Sequence, residues 1–221
     1  MTTWSYSSIK TFDQCPKKYY HLKVAKNVKD YGNEATRYGN QVHKAAEEYI
    51  KNGVDIPAKF NYILGPLRAL ENIPGEKHCE LHLAVAYDGK DYTPTKYMAS
   101  NAWWRGIADL IIIDGAKAYL VDYKTGKNAK YADTKQLDLL AAAVFTHFPE
   151  VETIKSALAY LVSNDFIKKE HKAELRKSYF ASFDGLLEKL SVAHESNVWN
   201  PISGPLCAYC PVKSCEHHRS R

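Results

Sequence analysis

Asp109, Asp122 and Lys124 are the residues whose types and spacing best support chemistry in this sequence. They lie on a strongly apolar stretch, residues 103–124, which predicts two β-strands joined by a tight turn at residues 114–117. That register sets Asp109 opposite Asp122, with Cβ atoms roughly 4.5–5.5 Å apart. Because strand side chains alternate between faces, Lys124 shares the face of both aspartates. Two carboxylates this close could bridge one divalent cation.

A bound cation would explain three charged groups on an otherwise apolar hairpin, because unpaired buried charge is costly. The alternative is a structural ion pair between Lys124 and one aspartate, since ion pairs on sheets are common. A two-residue loop would place Leu120 opposite Asp109 and still keep the polar groups on one face. A three-residue loop would break the arrangement.

The second set of candidate ligands is a C-x2-C-x4-C pattern near the C-terminus, formed by Cys207, Cys210 and Cys215. The surrounding tail is too rich in proline and glycine for long regular structure, so something other than a core must order it. Three thiols in such a tail indicate a soft metal or an iron–sulfur cluster. Cys15 could supply the missing fourth ligand, since Pro16 predicts a break in the helix there.

His217 and His218 are rival fourth ligands that would favour zinc, and the spacing does not decide between zinc and an iron–sulfur cluster. Cys79 lies within a predicted strand and is interpreted as a core thiol. Five cysteines, an odd number, and the lack of a secretory signal argue against a disulfide framework. We therefore expect a soluble, intracellular protein in a reducing compartment, the cytoplasm.

The composition fits a globular α/β protein, with 221 residues, 45% hydrophobic and 25% charged. No apolar run is long enough for a membrane span, so no membrane partner is expected. The net charge of +5 permits a polyanionic partner without requiring one. Sixteen tyrosines offer surfaces for base stacking, although they could equally be core residues.

The elements that must position these residues alternate between helix and strand. A βαβ crossover after the hairpin would make its second strand parallel to the next one. The predicted elements are helix Trp4–Leu22 with a break at Cys15-Pro16, helix Glu34–Lys51 carrying His43, short helix Tyr62–Leu70, strand Cys79–Tyr87 carrying Glu80, polar loop Asp88–Asn101, the hairpin, a helix from Asp133 or Thr134 to about Phe148, strand Ala157–Val162, strand Phe166–Ala173 and helix Glu174–Glu195.

Five segments in this order, together with the cysteines, resemble the RecB-type branch of the PD-(D/E)xK nuclease superfamily, especially the CRISPR-associated RecB-like exonucleases and their stand-alone viral relatives. The matching segments are Y-S-S-I-K-T-F-D-Q-C-P-K-K-Y-Y containing Cys15, Y-G-N-Q-V-H ending at His43, G-I-A-D ending at Asp109, V-D-Y-K-T-G with Asp122 and Lys124, Q-L-D-L-L starting at Gln136, and the cysteine tail. Leu140 stands where the family has tyrosine, and Ala108 stands where the superfamily motif has proline.

The resemblance implies a restriction-endonuclease-like fold, a mixed central β-sheet flanked by helices. One nuclease domain would span residues 1–221. Residues 1–30 and 198–221 would form a lobe joined by a four-iron, four-sulfur cluster on Cys15, Cys207, Cys210 and Cys215, with zinc as the alternative.

The resemblance also implies metal-dependent cleavage of DNA, often from single-stranded ends, in replication, recombination or defence. Helicases, recombinases and integrases are then candidate protein partners. The implied ligands of Mg²⁺ or Mn²⁺ are His43, Asp109, Asp122 and the Tyr123 carbonyl. Lys124 would orient the attacking water, Gln136 would be a positioning residue, and Glu80 would bind a second metal or a ligating water or else be a plain surface acid. The expected phosphate contacts are Lys127, Lys130 and Lys135.

Two other readings remain open. One is a catalytically silent nuclease fold that binds DNA or protein through a structural iron–sulfur or zinc centre. The other, weaker reading is a zinc-ribbon scaffold of unrelated function. The intact acid–acid–lysine set argues for the enzyme, because a silent copy has no need to keep all three groups.

Overall fold

The structure is a computed structural model that describes residues 3–126 and 132–219. The chain forms two compact units, Met1–Gly32 with Ser182–Arg221, and Asn33–Ala181. The predicted cysteine lobe falls inside the first unit. Two of the predicted phosphate contacts, Lys127 and Lys130, lie outside the described residues.

Short helices build the N-terminal part of the first unit. A capping box at Ser5 starts α1 (Tyr6–Gln14). The helix ends at Cys15, whose backbone is extended because a following proline disfavours helical conformation. Helix α2 (Pro16–Tyr19) then begins with proline at its first position, and a π-helical turn, Tyr20–Val24, follows. The predicted break at Cys15-Pro16 is confirmed.

The second unit contains a six-stranded sheet in the order β2-β1-β3-β4-β5-β6. Its strands are β1 (Glu76–Tyr87), β2 (Tyr92–Thr95), β3 (Trp104–Asp114), β4 (Lys117–Lys124), β5 (Thr153–Tyr160) and β6 (Asp165–Lys172). The β4–β5 pair is parallel and the other pairs are antiparallel. The predicted crossover is therefore confirmed.

Helices pack on this sheet, as expected for a mixed α/β fold. They are α3 (Glu34–Asn52), α4 (Leu64–Glu71) after a 3₁₀ turn at Ala58–Ile63, and α5 (Lys135–His147) between β4 and β5. An apolar core joins α3 and α4 to the sheet through Val42, Leu67, Leu110, Val121 and Tyr123. No helix among the described residues is both long and apolar enough to cross a membrane.

Two sequence predictions about the elements were wrong. The polar loop Asp88–Asn101 contains strand β2, which the pattern missed because it is four residues long and holds Pro94. Such a strand is tolerated at a sheet edge, where β2 pairs only with β1.

The predicted helix Glu174–Glu195 is instead a 3₁₀ turn (Ala173–Leu175), α6 (Arg176–Ala181) and α7 (Asp184–Ser196). On a continuous helix Phe180 and Phe183, three residues apart, would share one face. Phe180 packs against Tyr92 in the second unit, whereas Phe183 packs against Trp4 in the first. The break separates the two rings.

The hairpin has the predicted register, with Ile113 opposite Ala118. Only Gly115 and Ala116 form the turn, because Asp114 and Lys117 also pair. This two-residue turn lies at the centre of the predicted four-residue loop, so the register is unchanged and Leu120 lies opposite Ile111 rather than Asp109. Gly115 has φ +57°, a conformation that glycine adopts without steric cost. The strands therefore extend one residue further at this end.

Gly106 provides a test of packing between β3 and α5. A Cβ atom there would overlap the Trp104 ring and lie 3.2 Å from Leu140 Cδ2. Because Trp104 is fully buried, Gly106→Ala is expected to lower the free energy of unfolding by about 1–3 kcal/mol in urea denaturation. Gly65→Ala, on α4 with open space around it, is the control and should not destabilise. Equal losses in both variants would contradict this packing.

Candidate active site

Strands β1, β3 and β4 separate locally at the predicted acidic residues. The β3–β4 ladder ends at Leu110 and Val121, one residue before Asp109 and Asp122. The β1–β3 ladder is interrupted at Glu80, which the register sets opposite Asp109 and which has φ +48°. Positive φ is uncommon for a glutamate, and such backbone strain clusters at functional sites. The strands thus open where their carboxylates meet.

The Asp109 carboxylate fills this opening. Its Oδ2 accepts the Tyr123 N–H at 2.6 Å, and its Oδ1 lies 3.4 Å from His43 Nδ1. His43 Nε2 is 3.0 Å from the Tyr123 carbonyl oxygen. A carbonyl only accepts, so Nε2 must carry the proton. In the neutral imidazole, Nδ1 then keeps a lone pair beside Asp109.

His43, Glu80 and Asp109 form a possible metal site. One ligand atom from each lies within 4.8 Å of the other two. Helix α3 contributes the imidazole, β1 the glutamate and β3 the aspartate, and all three side chains are partly buried. Two carboxylates and one imidazole suit a divalent cation.

Asp122, Lys124 and Gln136 form a second cluster, outside that three-residue group. Asp122 is buried, and its Oδ2 lies 2.5 Å from Lys124 Nζ. Lys124 Nζ also donates to Gln136 Oε1, on α5, at 3.4 Å. The structure therefore pairs Asp122 with the lysine.

Negative charge accumulates around Asp109. Burial raises the pKa of Asp122, and the Asp109 charge raises it further. Burial and then Asp109 likewise raise the pKa of Glu80. Burial alone would lower the pKa of His43, but its hydrogen bond and charge interaction with Asp109 outweigh this and raise the pKa. A bound cation would relieve the repulsion between these carboxylates.

Other predicted positions are less central. The Tyr123 carbonyl is hydrogen-bonded to His43 rather than free. Lys135 is exposed at the start of α5, next to Gln136. Leu140 is buried, so it belongs to the core at the position where tyrosine was expected. Sequence reasoning missed the left-handed backbone of Glu80, because no glycine or turn signal marks that residue.

The four cysteines predicted to share a cluster all line one cavity of about 340 Å³ in the first unit, together with His217 and His218. They are Cys15, Cys207, Cys210 and Cys215. Among the described residues, no three of these sulfurs lie within 4.8 Å of one another. The buried His218 Nδ1 finds no hydrogen-bond partner within the described part of the chain.

The fold and site together define an α/β protein with a candidate metal site and an adjoining acid–lysine pair at a strand opening. A model of the PD-(D/E)XK nuclease superfamily matches residues 3–104 and 80–215. The chain belongs to this superfamily. No curated protein matches it in a search of whole sequences.

Two solved structures share the fold. One is the crystal structure of SSO0001, with a TM-score of 0.50, 14% identity, and coverage of 100% of this chain and 89% of that one. The other is a protein from Eubacterium rectale named as a candidate exonuclease, with a TM-score of 0.53 and 14% identity. That match covers 98% of this chain and 87% of the other. At this identity the likeness shows the fold alone.

Proposed function

We propose that the chain is a metal-dependent deoxyribonuclease, an exonuclease that acts on single-stranded DNA or DNA ends in replication, recombination or defence. The observation that carries this proposal is the grouping of His43, Glu80 and Asp109 within 4.8 Å, in a chain of the PD-(D/E)XK superfamily. The Asp122–Lys124 pair adjoins the same strand opening, and the positively charged Lys124 ammonium could face the substrate.

The donor set fits Mg²⁺ or Mn²⁺, since carboxylates are the ligands that hard cations prefer. Such a cation, when bound, would lower the pKa of a coordinated water and neutralise charge that develops on the phosphate. His43, Glu80 and Asp109 would hold it. Asp122 and the Tyr123 carbonyl are further proposed ligands, because these two residues of β4 face Asp109 of β3 at the strand opening.

The remaining site residues act on the substrate. The Lys124 ammonium, held by Asp122 and Gln136, would orient the attacking water and offset negative charge at phosphorus. Gln136 fixes that ammonium from α5, and Lys135 beside it could contact a DNA phosphate. Lys127 and Lys130 are proposed phosphate contacts on sequence grounds.

Cation affinity is expected to fall as pH falls. The pKa values of Glu80, Asp122 and His43 are all raised, so these groups keep protons at higher pH than free side chains, and a cation must displace those protons. Each displaced proton should weaken binding by up to about tenfold per pH unit. Calorimetric titration of Mn²⁺ in two buffers of different ionisation enthalpy would count the protons. Affinity that stays constant between about pH 5 and pH 8 would contradict the assignment.

For the first unit we propose a four-iron, four-sulfur cluster on Cys15, Cys207, Cys210 and Cys215. Support comes from their shared cavity, which is lined by thiols from both ends of the chain. The unpartnered His218 Nδ1 favours the alternative, a zinc site with three cysteines and one histidine.

A further inference from the structure

An aromatic and cationic patch lies on the second unit, on the same helix as His43. The first two turns of α3, residues 34–41, are almost entirely exposed. They carry Arg37 and Tyr38, and Lys59 and Tyr62 adjoin them from the 3₁₀ turn before α4. We call these four residues the tyrosine patch. Neither the candidate metal site nor the predicted phosphate contacts include it.

The patch is held in one arrangement. The hydroxyls of Tyr38 and Tyr62 are 2.7 Å apart, and the Tyr38 ring forms a T-shaped contact with the ring of buried Phe60, with centroids 5.7 Å apart. Lys59 Nζ lies 4.7 Å from the Phe60 ring centroid and donates to Gln41 Oε1 at 2.9 Å. Tyr38 and Tyr62 nevertheless remain 39% and 38% exposed. Ordered but exposed rings lose little entropy when a flat ligand stacks on them.

The patch and the metal-ligand group share helix α3. Tyr38 precedes His43 by five residues, which separates the two positions by about 7.5 Å along the helix axis and by about 140° around it. On the turn between them, Gly39 lies against Thr125, since a Cβ on Gly39 would be 3.2 Å from Thr125 Oγ1. Thr125 directly follows Lys124 in the chain. A chain-like ligand on the patch could therefore continue to the candidate active site.

We propose that the tyrosine patch binds a single strand of DNA next to the metal site, with bases stacked on Tyr38 and Tyr62 and phosphates on Arg37 and Lys59. The identity of the strand rests on the proposed nuclease function. Stacking on aromatic rings accepts every base, and nearby cations follow the backbone, which is how single strands are bound without sequence preference. Glu34 is the one acidic residue among residues 34–41, so the patch retains a net positive charge.

The test is binding of fluorescein-labelled oligo(dT) in the presence of a chelator, measured by fluorescence anisotropy, so that no strand is cut. Replacing Tyr38→Leu together with Tyr62→Leu should weaken binding by about 5- to 150-fold. The pair Tyr38→Phe and Tyr62→Phe keeps the rings and should stay within about twofold. Tyr87→Leu is the matched control, because Tyr87 is 40% exposed in the same unit and stacks on Tyr92, and it should bind like wild type.

Leucine variants that bind like wild type would overturn the proposal, as would a wild type that does not bind oligo(dT). An equal loss in the phenylalanine pair would also overturn it, because the hydroxyls rather than the rings would then matter. If the leucine pair does not fold, the double variant Arg37→Gln with Lys59→Gln replaces it. The slope of log K against the logarithm of the salt concentration should then become shallower by the amount expected for the loss of roughly two phosphate contacts. A wild type that binds DNA but never cleaves it would refute the nuclease function and leave the patch standing.

Discussion

Replacing Asp109 by alanine is expected to lower the rate of DNA cleavage by at least about 10³-fold, because stabilisation by a bound cation contributes several kcal/mol. Asp109 lies at the centre of the site: it accepts the Tyr123 N–H, adjoins His43 and belongs to the three-residue group with Glu80. Its removal would take away a proposed ligand and also the acceptor of the Tyr123 N–H in the strand opening. Asp122→Ala should likewise abolish cleavage while leaving DNA binding largely intact.

The measurement is a time course on end-labelled single- and double-stranded DNA with Mg²⁺ or Mn²⁺. Calorimetric titration of each variant with Mn²⁺ would show whether cleavage is lost because the variant no longer binds the cation or although it still binds the cation. Asp165→Ala is the matched control, since Asp165 is an exposed acid at the start of β6 in the same unit, and it should cleave like wild type.

Two results would count against this assignment. An Asp109→Ala variant that cleaves at the wild-type rate would place the cation elsewhere. A wild type that degrades no form of DNA with either cation would favour a catalytically silent module that binds DNA or protein. The Asp122–Lys124 ion pair would then have the purely structural role that the sequence left open.

Cys15→Ser is expected to remove most of the bound metal and to destabilise the first unit by several kcal/mol, because metal binding contributes directly to folding in poorly packed segments. The C-terminal tail has one 3₁₀ turn, Pro205–Tyr209, as its only regular element among the described residues after α7. Purified wild type should be brown, with broad visible absorption and about four irons per chain. The variant should lose both colour and iron.

Cys79→Ser is the matched control, because Cys79 is a half-buried thiol on β1 that packs against the core of the second unit. It should keep the iron content and the spectrum of the wild type. A colourless wild type with one zinc per chain would exclude the iron–sulfur cluster. In that case His218→Ala should release the zinc, and retention of the zinc would point to Cys15 or His217 as the fourth ligand.

The sequence determined the elements well where strong local chemistry marks their ends. The proline after Cys15 ended α1, and the helix predicted at Glu34–Lys51 is α3, Glu34–Asn52. The hairpin register followed from the apolar pattern, because a one-residue slip would turn every apolar side chain of a strand to the other face. The sequence also named each member of the candidate metal group, His43, Glu80 and Asp109.

Only the tertiary structure decided how those residues are grouped. The hairpin alone suggested Asp109 with Asp122, whereas the structure places Asp109 with His43 and Glu80 and pairs Asp122 with Lys124. The reason is that α3 and β1 approach Asp109 from outside the hairpin, where the strands separate and Glu80 takes a left-handed backbone. Contacts between residues distant in the chain depend on packing, and no local pattern in the sequence encodes them.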